Sequence, residues 1–284
     1  MALTGHPLFI VPASLALALF LGGLVRGIDR KLTARLQSRK GPILTQPFWD
    51  VIKLMGKKAV LVNPWQAFCA RVSFGATATA VVLFALQSNL LLIIFVSSTA
   101  GGFLVLGAMS SLSPYSQIGA QRHLWQMLCC ESVLFCLAWA IYKICGGFRI
   151  ELVFSQADPV IFRVPLLYVS FLFALAVTMH KSPFDLAGSH HAHQELVRGV
   201  YTEYSGSHLA WVEIAHWLEV ILCLGLSALF WATPWGMLLL PAVSFLTVLL
   251  LDNISSRLTW RWMTGKGLFL ALGMALLNLC LLAW

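Results

Sequence analysis

The sequence predicts an all-α, polytopic integral membrane protein of about eight transmembrane helices with long cytoplasmic loops. Three observations carry this expectation. Of the 284 residues, 59% are hydrophobic and only 11% charged, against roughly 45 to 50% apolar and about 25% charged in a soluble domain. The mean hydropathy is +0.83, which a water-soluble globule does not reach. Apolar runs long enough to span a bilayer, about 20 residues each, recur along the whole chain, and no fixed-period repeat or low-complexity tract is visible.

The runs cover 8–28, 66–87, 90–112, 123–145, 162–180, 209–232, 235–251 and 267–284. The first has no basic segment before it and is longer than the usual apolar core of a signal peptide, so it reads as a retained helix. The basic residues then sort to one side of the membrane. Arg30, Lys31, Arg35, Arg39, Lys40, Lys53, Lys57 and Lys58 follow the first run, Arg122 precedes the fourth, and Lys181, Arg198, Arg257, Arg261 and Lys266 fall in later connections of the same side. The other side holds only Lys143, Arg149 and Arg163. Lys and Arg accumulate in cytoplasmic loops, which places both termini outside the cytoplasm. The same bias explains the formal net charge of +8 with no nucleic-acid partner.

One membrane domain over 1–284 is expected, with two cytoplasmic connections too long to be turns. In the first, 29–64, Phe48, Val51, Ile52, Leu54 and Met55 alternate with Asp50, Lys53, Lys57 and Lys58 in a helical period. Such a segment lies as an amphipathic helix at the membrane interface or against a partner. The second, 181–208, is polar and rich in histidine, and a connection of that length is functional or disordered. The cysteines, at positions 69, 129, 130, 136, 145, 223 and 280, form no CxxC pair, so no zinc site or iron-sulfur cluster is indicated. Any redox centre is expected on another polypeptide. The tryptophans near run ends, among them Trp65, Trp235 and Trp260, read as an interfacial belt.

Charges inside apolar runs are the candidate functional residues. Glu131 sits about 12 Å into the fourth run at about 1.5 Å per residue. An ionisable group at that depth is costly, so a functional role is the default; the bland alternative is a carboxylate satisfied by a neighbouring helix. In the sixth run Glu213, His216 and Glu219 recur every three residues on one side of a helix. Such a stripe suits a proton relay, while Glu213 alone also fits a side chain reaching back to the interface. In the second loop, Asp185, His190, His191, His193, Glu195 and Glu203 offer titrating groups at the mouth of a membrane cavity. Adjacent histidines diverge in regular structure and no HExxH spacing occurs, so a metal site is not expected there. A solvated surface loop is the remaining alternative.

These residues also carry a resemblance. The run Asp29-Arg-Lys-Leu-Thr-Ala-Arg-Leu-Gln-Ser-Arg-Lys-Gly-Pro42, followed by Gln46-Pro-x-x-Asp-x-x-Lys-Leu54, resembles the opening of the membrane subunit of respiratory complex I that houses the quinone chamber. Gly107-Ala-Met-Ser-Ser-x-Ser-x-Tyr115 leading to Glu131, Pro183-Phe-Asp-Leu186, and Thr202-Glu-Tyr-Ser-Gly206 match the same family in the same order. Where complex I members carry an acidic stretch after Pro-Phe-Asp-Leu, this chain has Ala187-Gly-Ser-His-His-Ala-His-Gln194. That version looks like the corresponding subunit of Ech-type energy-converting nickel-iron hydrogenases.

The resemblance implies a scaffold and coupling subunit in the cytoplasmic membrane of a prokaryote. Its partners would be a nickel-iron hydrogenase large subunit, an iron-sulfur small subunit, a ferredoxin-like iron-sulfur subunit and an antiporter-like membrane subunit. The nickel-iron centre and iron-sulfur clusters would sit in those partners, with no cofactor and no catalytic residue in this chain. Asp185, Glu195 and Glu203 would form the entrance beneath the hydrogenase, and Glu131, Glu213, His216 and Glu219 would continue the path of protons. Arg30, Arg35, Arg39, Asp50, Lys53, His190, His191 and His193 would dock partners. A formate hydrogenlyase or hydrogenase-4 complex, or a quinone-binding relative, is the alternative within the family. A stand-alone secondary transporter would use buried carboxylates similarly but would show inverted repeats, and none is seen.

Overall fold

The structure is a computed structural model that describes residues 7–60, 63–156, 158–181, 185, 187–188, 196, 198–256 and 258–283. Local signals in the chain set most helix ends. α1 (Pro7–Leu36) runs into a backbone reversal at Ser38, whose φ is +56°. α2 (Gln46–Met55) is short and starts with Pro47 in its first turn. α3 (Pro64–Ala85) is capped by Asn63, whose side-chain oxygen accepts from Trp65 N at 3.0 Å, with Pro64 in the first turn. α4 (Leu90–Met109) is capped in the same way by Asn89, which accepts from Leu91 N at 3.0 Å. α5 (Pro114–Cys145) ends at Gly146, left-handed at φ +76°, the usual stop for a helix.

After the short α6 (Ile150–Phe154) come α7 (Pro165–Thr178), the central α8 (Gly206–Ala228) and α9 (Gly236–Ile254). The last crossing is one helical run made of α10 (Trp260–Trp262), a π-helical turn (Met263–Gly267) and α11 (Leu268–Ala283). Among the described residues, seven helices are long and apolar enough to cross a membrane. The eighth expected crossing is α7, whose 14 residues reach only about 21 Å at about 1.5 Å per residue. Its length has a physical reason. Leu167, Phe171, Leu175 and Val177 are buried by neighbouring helices, so α7 sits in protein and need not match the hydrocarbon thickness.

The layering follows burial. In α8, 67% of the apolar window is buried inside the protein, against 17% for α1 and for the last run, so α8 is the central post and those two are peripheral. α3, α1, α9, α7 and α2 all pack on α8, and α5 lies between α4 and α7. Polar side chains fix the register of buried pairs. Asn278 of α11 accepts from Leu167 N at 3.0 Å and donates to Arg163 O at 3.3 Å, and Ser170 donates to Ala271 O at 2.8 Å. At one end of the bundle, Leu90 N donates to Phe148 O at 2.8 Å. The opposite end, the basic end, gathers Arg26, Arg30, Arg39, Lys40 and Lys181 around one pocket.

One boundary differs from the sequence expectation in a way that matters for the site. Hydropathy starts the first connection at Asp29, yet α1 continues as helix to Leu36. Hydropathy marks where apolar residues stop. It does not mark where the helix stops, since Arg, Lys and Leu are all good helix formers.

Candidate functional site

The extra turns of α1 bring charge under the loop that follows α7. Lys181 Nζ donates to Asp252 Oδ2 of α9 at 3.2 Å and lies 3.2 Å from Asp29 Oδ1 and 3.4 Å from Thr33 Oγ1. Arg26 stands 3.9 Å from the other oxygen of Asp29. Lys181 and Asp29 are both buried. Two cations face two carboxylates, and this mutual compensation is the condition for holding charge away from water. Beside this cluster, Arg122 of α5 pairs with Asp185 at 3.4 Å, its guanidinium 5.3 Å from the Trp260 ring centroid. Asp185 N also donates to Leu258 O at 3.0 Å, which ties the loop to the α9–α10 turn.

Deeper in the bundle, α4, α5, α7 and α8 enclose a cavity of about 60 Å³ whose lining includes Glu131, Glu219, His123, His180, Gln126 and Thr178. At roughly 10 to 15 Å³ per water, it has room for a short chain of them. Among the described residues, Glu131 Oε1, His123 Nδ1 and Gln126 Nε2 are buried with no hydrogen-bond partner, which makes the wall polar and hydratable. A narrow space of about 10 Å³ between α1 and α8 is lined by Arg26, Asp29 and His216. Its neighbour is a pocket of about 450 Å³ at the basic end, lined by Arg26, Asp29, Arg30, Arg39, His180 and Lys181 among others. His180 therefore borders both the deep cavity and the basic-end pocket, and its ring stacks on His216 with centroids 4.4 Å apart. Tyr201 lies edge-on to His180 at 6.1 Å. Burial first, then the nearby carboxylates Glu219 and Glu213, push its phenol well up, and burial does the same to Tyr204. Both remain neutral hydroxyls.

The residues predicted from sequence do not all meet. Glu131 and Glu219 share the deep cavity, and His216 Nδ1 stands 3.7 Å from Glu219 Oε2. Glu213 lines a different space, a groove of about 370 Å³ between α2 and α8 that also holds Arg30, Asp50, Lys53 and Arg198. The spacing explains the separation. Each three-residue step falls about 60° short of a full turn, so Glu213 and Glu219 point about 120° apart. Asp185 sits in its pair with Arg122, and Glu203 lies half-buried just before α8. Arg30 and Asp50 bind each other at 2.7 Å and so fasten α2 to α1. Arg39 bonds Gln37, while Arg35 and Lys53 are exposed. Glu195, His190, His191 and His193 lie outside the described residues. Among the described residues, no group of three or more His, Cys, Asp or Glu is arranged to hold a metal ion.

Sequence reasoning misses Arg26, Asp29, Lys181 and Asp252 as a cluster, and His123 and His180 as cavity lining. A signal exists for the cluster, because Asp29, Lys181 and Asp252 each close an apolar run on the same side of the membrane. Nothing in one dimension shows that these run ends meet.

A helical bundle with membrane-spanning helices, ion pairs gathered at one end and Glu131 and Glu219 lining a hydratable cavity among the helices, defines a class of protein: a multi-pass membrane protein with titratable groups set among its helices. Comparison with known proteins gives the family. The NADH dehydrogenase family model matches residues 9–283, and the chain belongs to that family. Hydrogenase-4 component C of Escherichia coli K12 is 29% identical, the match covering 75% of this chain and 70% of that protein. Formate hydrogenlyase subunit 4 of the same organism is 30% identical, with 70% and 69% covered. An NADH-quinone oxidoreductase subunit of Cereibacter sphaeroides is 31% identical, with 90% and 89% covered. Among solved structures, a chain of an archaeal membrane-bound sulfane sulfur reductase, a respiratory membrane complex, has the same fold, with a TM-score of 0.83 at 24% identity over 97% of this chain and 99% of that one.

Proposed function

We propose that this chain is the membrane anchoring and coupling subunit of an energy-converting hydrogenase complex, linking ferredoxin-dependent hydrogen evolution in a peripheral arm to movement of protons or sodium ions. The observation that carries the reading is the pair of carboxylates, Glu131 and Glu219, lining one cavity among α4, α5, α7 and α8 that shares His180 with the basic-end pocket. Buried ionisable groups in a membrane bundle are costly and mark ion or proton pathways. Membership in a family with components of hydrogenase-4 and of formate hydrogenlyase supports the hydrogenase setting.

In this reading the basic end faces the cytoplasm and both termini lie on the opposite side. The nickel-iron and iron-sulfur subunits sit over the basic end, where Asp185, Glu195 and Glu203 form the entrance. Arg35, Arg39, Lys53, His190, His191 and His193 meet partner residues, and Arg30 and Asp50 hold α2 in place for that surface. An antiporter-like subunit takes the charge onward from Glu131 within the membrane. Nickel-iron and iron-sulfur chemistry belongs to the partners.

A second reading keeps the quinone. The Cereibacter relative is by name a quinone oxidoreductase subunit, and a pocket of about 450 Å³ is within the usual range for a small ligand. Its lining combines the cations Arg26, Arg30, Arg39 and Lys181 with Ala34 and Pro42, and an apolar wall with a few charged groups admits either occupant.

The deciding experiment is mass spectrometry of what co-purifies with this chain from native membranes in mild detergent. Nickel-iron hydrogenase subunits with an antiporter-like protein support the coupling role, and a formate dehydrogenase in the set assigns formate as electron source. Recovery of quinone-reductase subunits, or of no partner, overturns the hydrogenase reading.

A further inference from the structure

We infer that the stacked pair His180 and His216 is the joint through which a proton passes between the basic-end pocket and the interior carboxylates, with His180 as the acceptor on the pocket side. The inference rests on the coupling reading and deepens it by naming a transfer site.

Four observations converge on this pair. The first is backbone geometry. His180 closes α7 with φ at +54°, the left-handed stop of a helix in which Lys181 N donates back to Ala176 O at 2.9 Å, and this stop fixes the position of its ring beside the basic-end pocket. The second is placement, since His180 borders both the basic-end pocket and the deep cavity that holds Glu131 and Glu219. The third is the stack itself, with ring centroids 4.4 Å apart and planes 21° from parallel. The fourth is that His216 is only 6% exposed, yet neither ring nitrogen has a hydrogen-bond partner among the described residues. A buried imidazole is ordinarily satisfied. This one lays its ring face on His180, stands with Nδ1 3.7 Å from Glu219 Oε2, and lines the narrow space beside Arg26 and Asp29.

Among the described residues, the charged and titratable groups around the pair include Arg26 and Asp29 of α1, His123, Cys130 and Glu131 of α5, Lys181 after α7, Tyr201 of the short turn before α8, and Glu219 and Cys223 of α8. The step balances with solvent water alone. A hydronium in the basic-end pocket gives its proton to the unprotonated ring nitrogen of His180, leaving water. The imidazolium passes a ring proton through a bridging water to the unprotonated nitrogen of His216, which releases one from Nδ1 to Glu219 Oε2, 3.7 Å away, and both rings are neutral again.

The test uses the intact complex in proteoliposomes. His180→Gly suits the left-handed backbone and leaves a ring-sized gap open to the basic-end pocket. Ion translocation per hydrogen evolved is expected to fall at least about tenfold, one factor of ten in rate being about 1.4 kcal/mol of barrier. It is expected to recover, with saturation, when imidazole is added to the buffer. His216→Phe, which keeps the stack and removes the nitrogens, is expected to fall similarly without rescue by imidazole. Full translocation by either variant in an assembled complex overturns the joint. Loss in His180→Gly that imidazole does not restore also overturns it, because that is the signature of a structural residue. Glu131→Gln run in parallel separates the two ideas. If it blocks translocation while His180→Gly does not, the joint fails and the coupling reading stands. If both variants translocate normally, the coupling reading fails as well.

Discussion

At the basic end, Lys181 is held by two carboxylates at once. It is 7% exposed and lies between two carboxylates, Asp29 and Asp252. Removing one partner of a buried ion pair strands the rest, at a cost of about 3 to 5 kcal/mol. Lys181→Met is therefore expected to lower the melting temperature of the detergent-solubilised chain sharply, and Asp252→Asn, which leaves Asp29 to compensate the lysine, less so. A second residue-scale contrast separates two glycines of α4. A Cβ at Gly107 would run into the Tyr204 hydroxyl and the Cys69 side chain, whereas nothing lies within 4 Å of one at Gly102. Gly107→Ala should destabilise by about 1 to 3 kcal/mol through overpacking. Gly102→Ala should be neutral or stabilising by up to about 1 kcal/mol. Thermal melts of the two variants side by side check both signs.

α2 shows how an element with few residues is held. The Arg30–Asp50 pair is short at 2.7 Å, but its side chains are 38% and 41% exposed, so solvent screening limits it to below about 1 kcal/mol. The stronger tether is steric and apolar. The Phe48 ring fits over Gly23 of α1, where a Cβ would collide with it, and meets the Trp217 ring edge-on at 5.6 Å. Phe48→Ala is expected to cost on the order of 2 kcal/mol, less than a fully buried phenylalanine, and to speed hydrogen exchange across α2 far more than Asp50→Ala does. Equal exchange in the two variants would show that the ion pair is the main tether. The same element shows what one-dimensional patterning reads well. Apolar and basic residues at helical spacing predict the helix at 46–55, whereas its docking partner, a glycine 25 positions away by the numbering of Gly23 and Phe48, is invisible in the pattern.

At the scale of the whole molecule, the bundle places carboxylates from α5 and α8 in one space. Glu131→Gln removes a titratable carboxyl group there while keeping size. On the proposed coupling role, it is expected to abolish or strongly reduce ion translocation by the reconstituted complex while the chemistry of the peripheral subunits is retained; translocation at the wild-type rate would remove Glu131 from the proposed path. Much of this site is legible in the sequence, because a glutamate inside an apolar run is conspicuous whatever surrounds it. Glu131, His216 and Glu219 stand out in that way. Asp29, Lys181 and Asp252 do not, since a charge at the end of a run is indistinguishable from an ordinary topological signal until three run ends are seen to meet. His123 and His180 escape for a related reason: each sits at a run boundary, where an imidazole is commonplace.

Composition, hydropathy and the placement of charge suffice for the class of the protein. Hydropathy must be met by a bilayer, helices are the economical way to satisfy a backbone there, and the lysine and arginine bias separates two faces. These are properties that each segment carries alone. Only the tertiary structure decided which charges are partners, that α7 is short because protein surrounds it, that Glu213 parts company with Glu219, and that His180 stacks on His216. Pairing is a property of distances between segments far apart in the chain, and those distances are set by how helices pack around α8, which no single run encodes.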